Sequence, residues 1–337
     1  MKNKKQIDVF AFVNAYAARI YGQDLKTHHS DVNASFHAQI LARKLHGYND
    51  TPTFGWADWG AWEFGGDIRW PETYAEGYPS TLRHPVEKPS DIDRLAIPDP
   101  KYAGSYALLW EFNRLLAKHG FKPRLRAGSV TSVVAGMIGI DHLPRWFFKE
   151  PTAVHAAFEK ATQLILMAAE YALEEFGPHC SVSISAPIDS NSLISPAIFK
   201  KFALPYHQRI ISEVCRLGFN SIRLHLCGDH SGNLSAWAGL PWPKDTLISI
   251  GSEMGITATA NAFGHRFKVG GNVSTTLLGV GTYDEVYQAA TRCIEEGQTL
   301  PAGFALMPAC EMPVSTPPLN VQALVDACRD YNQREGG

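Results

Sequence analysis

The run Asn220-Ser-Ile-Arg-Leu-His-Leu-Cys-Gly228 holds the residues best suited to chemistry. Ile222, Leu224 and Leu226 alternate with Arg223, His225 and Cys227, the period of two that belongs to a strand. On a strand His225 and Cys227 share a face and are neighbours at the end of the run, where Gly228 breaks the pattern and Asp229 opens a loop. An imidazole beside a thiol suits a borderline-soft cation such as zinc. Taken alone, a His-x-Cys pair is equally well a structural histidine next to a buried cysteine. A second segment adds weight: Phe304-Ala-Leu-Met-Pro-Ala-Cys-Glu-Met-Pro313 is another short apolar strand, with Cys310 just past its end. Between Cys227 and Cys310 lie 82 residues, room for about three strand–helix units. One histidine and two cysteines at different strand ends would give three protein ligands and leave a fourth position open, as in a catalytic zinc site.

The elements that must position these residues follow a repeating pattern of a short β-like run, a turn and a helical stretch. Strands are expected at 52–56, 124–128, 181–186, 221–227, 247–251, 267–271 and 304–308. Residues 152–176 place Val154, Phe158, Ala161, Ile165, Ala168 and Ala172 on one face of a long helix that Gly177 stops. Ser195 before Pro196 is an N-cap signal, and Thr282 with Glu285 a capping box. Alternating strands and helices imply parallel pairing. No G-x-G-x-x-G or G-x-x-x-x-G-K-[ST] loop marks a Rossmann-type or P-loop sheet. A closed (β/α)8 TIM barrel of about 250 residues with an N-terminal helical extension fits better, as one domain over 1–337, although seven strands are legible rather than eight.

Composition narrows the partners. The 337 residues are 45% hydrophobic and 19% charged, a globular balance, and 31 Lys plus Arg against 33 Asp plus Glu give a net charge of −2. Without a basic run, nucleic acid is not expected as a partner. The start, MKNKKQIDVFAF, reads as an amphipathic helix and not a signal peptide, and no stretch reaches the roughly 20 apolar residues of a membrane span. A cytoplasmic location is expected, with the six cysteines reduced. Cys180, Cys215, Cys293 and Cys328 fall in strand or helix patterns and read as packing residues.

Longer motifs carry a family resemblance. His225-Leu-Cys227-Gly-Asp, Gly271-Asn272-Val273 and Pro308-Ala-Cys310-Glu-Met-Pro-Val-Ser-Thr-Pro-Pro-Leu-Asn320 resemble the uroporphyrinogen decarboxylase superfamily, and more narrowly its corrinoid-dependent zinc methyltransferase branch. Ser192-Leu-Ile-Ser-Pro196, with Phe199, Phe202 and Pro205-Tyr206, and Phe64-Gly-Gly-Asp-Ile-Arg-Trp-Pro71 match the same superfamily, so the resemblance spans roughly residues 10–333. It implies a (β/α)8 barrel whose extension covers the mouth and whose site lies there. The decarboxylases' Arg-Gln-Ala-Gly-Arg signature is missing: Thr27-His28-His29-Ser30-Asp31-Val-Asn-Ala-Ser35 stands in its place. The resemblance implies His225, Cys227 and Cys310 as zinc ligands and Glu253 as a fourth, exchangeable one. Glu253 is equally an ordinary exposed carboxylate after a strand. Where relatives have Asp-Pro this chain has Ala186-Pro187, so a polar contact is lost there or moved to Asp189.

Substrate contacts are less sharply marked. Trp56, Trp59, Trp62, Phe64 and Trp70 suit either a helical core face or an aromatic lining, Arg69 either a carboxylate anchor or a surface ion pair, and His28 and His29 either a solvated turn or a mouth position. Trp59, Trp62, Arg69 and His28 are the candidate substrate residues. The expected activity is zinc-dependent methyl transfer between a small molecule and the cobalt of a corrinoid. The aromatic inventory favours O-demethylation of a methoxylated aromatic. A methylcobamide:thiol (coenzyme M-type) methyltransferase, a uroporphyrinogen decarboxylase-type enzyme and a non-catalytic corrinoid-docking protein are the alternatives. No Asp-x-His-x-x-Gly run is present, so the cobalamin would arrive on a partner protein docking at the barrel mouth. A homodimer is compatible with the sequence.

Overall fold

The computed structural model describes residues 6–56 and 58–336, with side chains to residue 334. Nine strands follow in order: β1 (Asp8–Val9), β2 (Asp67–Arg69), β3 (Ser80–Arg83), β4 (Arg124–Arg126), β5 (Ser181–Ser185), β6 (Ser221–Leu226), β7 (Asp245–Ile250), β8 (Lys268–Val273) and β9 (Phe304–Pro308). Seven of them form one parallel sheet, β1-β9-β8-β7-β6-β5-β4, while β2 and β3 make a separate antiparallel hairpin. Along β6, Ile222, Leu224 and Leu226 are fully buried toward the helices, and Arg223 and His225 line the interior. The register sets Arg126 beside Ser183 and Ser183 beside Arg223, and on the next level Ser185, His225 and Ser249.

The ring closes through a segment that is not a strand. Residues 52–56, expected as the first strand, form no ladder. Their polar groups go to side chains instead: Gln39 accepts from the Thr53 N–H at 2.8 Å and donates to its carbonyl at 2.7 Å, and Asn14 donates to the Gly55 carbonyl. On one side the Asn49 N–H donates to the Val9 carbonyl; on the other the Phe54 carbonyl accepts from Arg126. Residues 49–56 therefore span the gap between β1 and β4 and stand where an eighth strand would be, completing a (β/α)8 TIM-type barrel. The start of the chain also differs from expectation. Residues 1–5 lie outside the described part, and Asp8–Val9 is strand β1, because its register with Ala305 and Leu306 of β9 outweighs a local helical pattern.

Helices fill the outer layer. The long one runs Pro151–Phe176, buries the expected face, and ends at Gly177, whose φ of 71° is open to glycine without strain. The Ser195 cap and the Thr282–Glu285 capping box are both present. The N-terminal extension consists of α1 (Ala15–Tyr21), α2 (Leu25–Ser30) and α3 (Val32–His46), the last two capped by Asp24 and Asp31. It lies against the loop that leaves the C-terminal end of β9. Arg19 donates to the carbonyls of Val314 and Thr316, the Met312 N–H donates to the Phe12 carbonyl, and Val314 packs with Ala15, Ala18 and Leu25. No described helix is long and apolar enough to cross a membrane.

Candidate metal centre and cavity

His225, Cys227 and Cys310 converge as their strands end, with all three potential ligand atoms within 4.8 Å of one another. The two sulfurs are 3.6 Å apart. His225 is oriented from behind: its Nδ1 lies 3.0 Å from the Ser249 hydroxyl, leaving Nε2 buried with no partner. A buried ring nitrogen without a partner is costly in a protein interior. Here it faces two thiols, and one nitrogen with two sulfurs is a donor set for zinc. The sulfurs' mutual hydrogen bond pulls the Cys227 thiol below its ordinary value and pushes Cys310 above, so the pair sheds its first proton more easily than its second.

The backbone around the trio is tightly constrained. Gly228 turns the chain after Cys227 with φ of 84°, and a Cβ there would come within 2.8 Å of the Ser190 hydroxyl. The Cys227 carbonyl lies 3.2 Å from His230 Nε2, while His230 Nδ1 accepts from the Trp237 indole. Phe12 sets its ring edge-on to His225, centroids 5.9 Å apart, and holds a left-handed φ of 45°, rare for an aromatic residue and a mark of strain at functional sites.

The other expected residues are placed as follows. Glu253 is exposed on the loop after β7 and is not among the converging atoms, though its charge is close enough to oppose deprotonation of Cys227. Asn272 fastens that loop by donating to the carbonyls of Gly251 and Met254. Asp189 is fully buried behind the site, taking the hydroxyl of Thr131 and facing His207. His28 is buried, its Nε2 bonded to Asn14 and its Nδ1 to Gln23. Trp59 is buried edge-on to Tyr106, whereas Trp56, Trp62 and Trp70 pack on one another at centroid distances of 5.7–6.2 Å. Arg69 is exposed on the hairpin and pairs with Glu76 at 3.4 Å.

What the sequence reading missed is cationic. A cavity opens beside His225, lined by Arg124, Arg126 and Arg223 together with Phe12, Phe54, Phe112 and Met307. Arg124 and Arg126 flank Leu125 on β4 and so share a face, and Arg223 shares His225's face on β6. The alternation that located His225 and Cys227 would have found them. Near Cys310, Arg126 is in electrostatic range of Glu311 and Tyr78. Burial pushes the Glu311 carboxyl up to about 7, against the opposing pull of Tyr78 and Arg126.

The chain matches the uroporphyrinogen decarboxylase (URO-D) family over residues 9–331. It belongs to that family. A URO-D member with a His-x-Cys pair and a distal cysteine is also similar to named methyltransferases. It is 27% identical over 215 residues to a methylated-thiol–coenzyme M methyltransferase of Methanosarcina mazei, a match covering 63% of this chain and 54% of the relative. The chain thus spans about half the length of that relative. It is 24% identical over 265 residues to the methylcobamide:CoM methyltransferase MtbA of Methanosarcina acetivorans, covering 75% and 72% respectively. A solved methyltransferase structure from Methanosarcina mazei superposes with a TM-score of 0.81 at 21% identity, over 98% of this chain and 95% of the other, which establishes the fold.

Proposed function

We propose that this URO-D member transfers a methyl group between a corrinoid carried by a partner protein and the sulfur of a small anionic thiol, with zinc held by His225, Cys227 and Cys310. The observation that carries the reading is the buried, unpartnered Nε2 of His225 facing two sulfurs 3.6 Å apart. Zinc in that position supplies a Lewis acid that makes a coordinated thiol more acidic. Ser249 accepts a hydrogen bond from Nδ1–H and so reserves the Nε2 lone pair for the metal. Arg126 adds positive charge to the cavity near Cys310, and Phe12 shields the edge of the His225 ring from water. The thiol gives its proton to solvent, its sulfur forms the new bond to the methyl carbon, and the methyl group leaves its carrier without the bonding pair. The strand ends that bear the ligands form the barrel mouth, and we assign partner docking to that face. Glu253 keeps its proposed role as an exchangeable carboxylate.

A thiol replaces the methoxylated aromatic favoured on sequence. Trp56, Trp62 and Trp70 pack on one another and Trp59 on Tyr106, three arginines line the cavity, and the similar proteins are named for coenzyme M transfer. Decarboxylation would leave the His/Cys/Cys cluster without a role.

The test begins with metal analysis. Protein purified with zinc available should carry about one ion per chain, and Cys310→Ala should lose most of it while keeping its circular dichroism spectrum, because a barrel does not depend on one open-site ion. Methylcobalamin should then methylate anionic thiols in the presence of the wild-type protein only. Full zinc occupancy in Cys310→Ala, or transfer from methoxyaromatics without transfer to any thiol, would reject the assignment.

A further inference from the structure

We propose that the bore of the barrel beneath the metal centre is an anion subsite, and that the thiol carries its negative charge at the end of an extended apolar arm; this rests on the thiol reading above. The cavity that includes His225 continues down to Arg124 and Arg223. On β6, Arg223 lies one inward position below His225, about 7 Å along the strand. Between these levels Phe12, Phe54, Phe112 and Met307 supply apolar surface beside the hydroxyls of Ser183 and Ser185.

The three arginines differ in what already neutralises them. Both terminal nitrogens of Arg223 reach Asp50 at 3.3 Å, and its guanidinium lies 5.2 Å from the Phe10 ring centroid. Arg126 meets the Phe54 carbonyl and faces Glu311. The Arg124 guanidinium makes no hydrogen bond and no ion pair among the described residues; the side chain of Asn113 binds only its backbone N–H and carbonyl. Burial and the like charge of Arg223 draw Arg124 down to about 10, against the opposing pull of Asp50 and, more weakly, Cys180. Two guanidiniums thus share one carboxylate. A carboxylate or sulfonate between them would meet unused donors in a bidentate geometry that suits Arg. A second, more open cavity lies below, also lined by Arg124 and Arg223, with Lys122, Lys268 and Asp245 at the N-terminal strand ends. Lys268 is paired there with Asp8. The arginine pair therefore forms the floor of the upper cavity and the roof of the lower one.

The experiment uses the zinc-loaded protein and a thiol series: mercaptoethanesulfonate, mercaptobutanoate, mercaptohexanoate and uncharged hexanethiol. Dissociation constants come from calorimetry, with methyl transfer from methylcobalamin measured in parallel. Mercaptohexanoate should bind at least about ten-fold tighter than mercaptoethanesulfonate and than hexanethiol, the scale of one charge-assisted contact. Arg124→Met should collapse that ratio toward one, and Arg124→Lys should retain part of it, zinc content being measured on each variant to verify folding. Equal or tighter binding of mercaptoethanesulfonate by the wild type overturns the long arm whatever the variants do, as does an undiminished ratio in zinc-replete Arg124→Met. Sulfate that abolishes the preference without blocking short thiols supports the subsite. Failure of every thiol to bind or react overturns the methyl-transfer reading together with this one.

Discussion

At the scale of single residues, the site depends on which nitrogen of one imidazole is free. The Ser249 hydroxyl occupies His225 Nδ1 and itself lies 3.4 Å from the Leu224 carbonyl, to which it can donate. Ser249→Ala removes this orienting contact without touching a metal ligand. Zinc affinity, read by competition with a chromophoric chelator, should fall about 10–100-fold, the usual cost of losing such a partner. Unchanged affinity would mean that packing by Phe12 suffices to hold the ring. Glu253→Gln addresses the carboxylate outside the trio. Zinc should stay bound through His225, Cys227 and Cys310 while turnover with the thiol changes. Identical kinetics would return Glu253 to an ordinary surface position. The convergence of His225, Cys227 and Cys310 was legible because the period of two on β6 and the proline-bracketed end of β9 are local signals. Ser249 was not, since serine on an inward strand position carries no mark of its partner.

At the scale of elements, α2 concentrates the acid sensitivity. Burial draws His28 down to about 3 and His29 to about 4, from an ordinary value near 6.5. Between those limits the unfolded chain binds more protons than the folded one. Stability therefore rises with pH through the window and is lost as pH falls below about 6.5. His28→Gln, which can still donate to Asn14, should reduce the drop in Tm between about pH 7 and pH 5. The same drop in wild type and variant would place the sensitivity elsewhere. The structure also accounts for one element that was misread and two that were missed. Residues 52–56 have the composition of a strand, but Gln39 and Asn14, distant in sequence, take their backbone groups. β2 and β3 have three and four residues, half-buried to exposed, too short and too polar for periodicity to register.

At the scale of the molecule, the alternation of strands and helices was enough to indicate a barrel, while its closure was hidden because it depends on pairing between distant parts of the chain. Asp8 and Val9 of β1 pair with Ala305 and Leu306, and Ile7 exchanges hydrogen bonds with the Asn332 side chain. That arrangement has a consequence for biosynthesis. β1 leaves the ribosome early, and at about 5–20 residues per second its partner β9 follows only after roughly 15–60 s. Cys310 emerges with that partner, so, of the three proposed ligands, His225 and Cys227 wait as an incomplete pair until the sheet is ready to close. A chain stopped at residue 303 should therefore surrender its zinc to a weak chelator and be cut rapidly by protease, whereas the longer chain resists both. Nascent chains that already held zinc firmly before residue 304 would show that the metal is captured ahead of barrel closure.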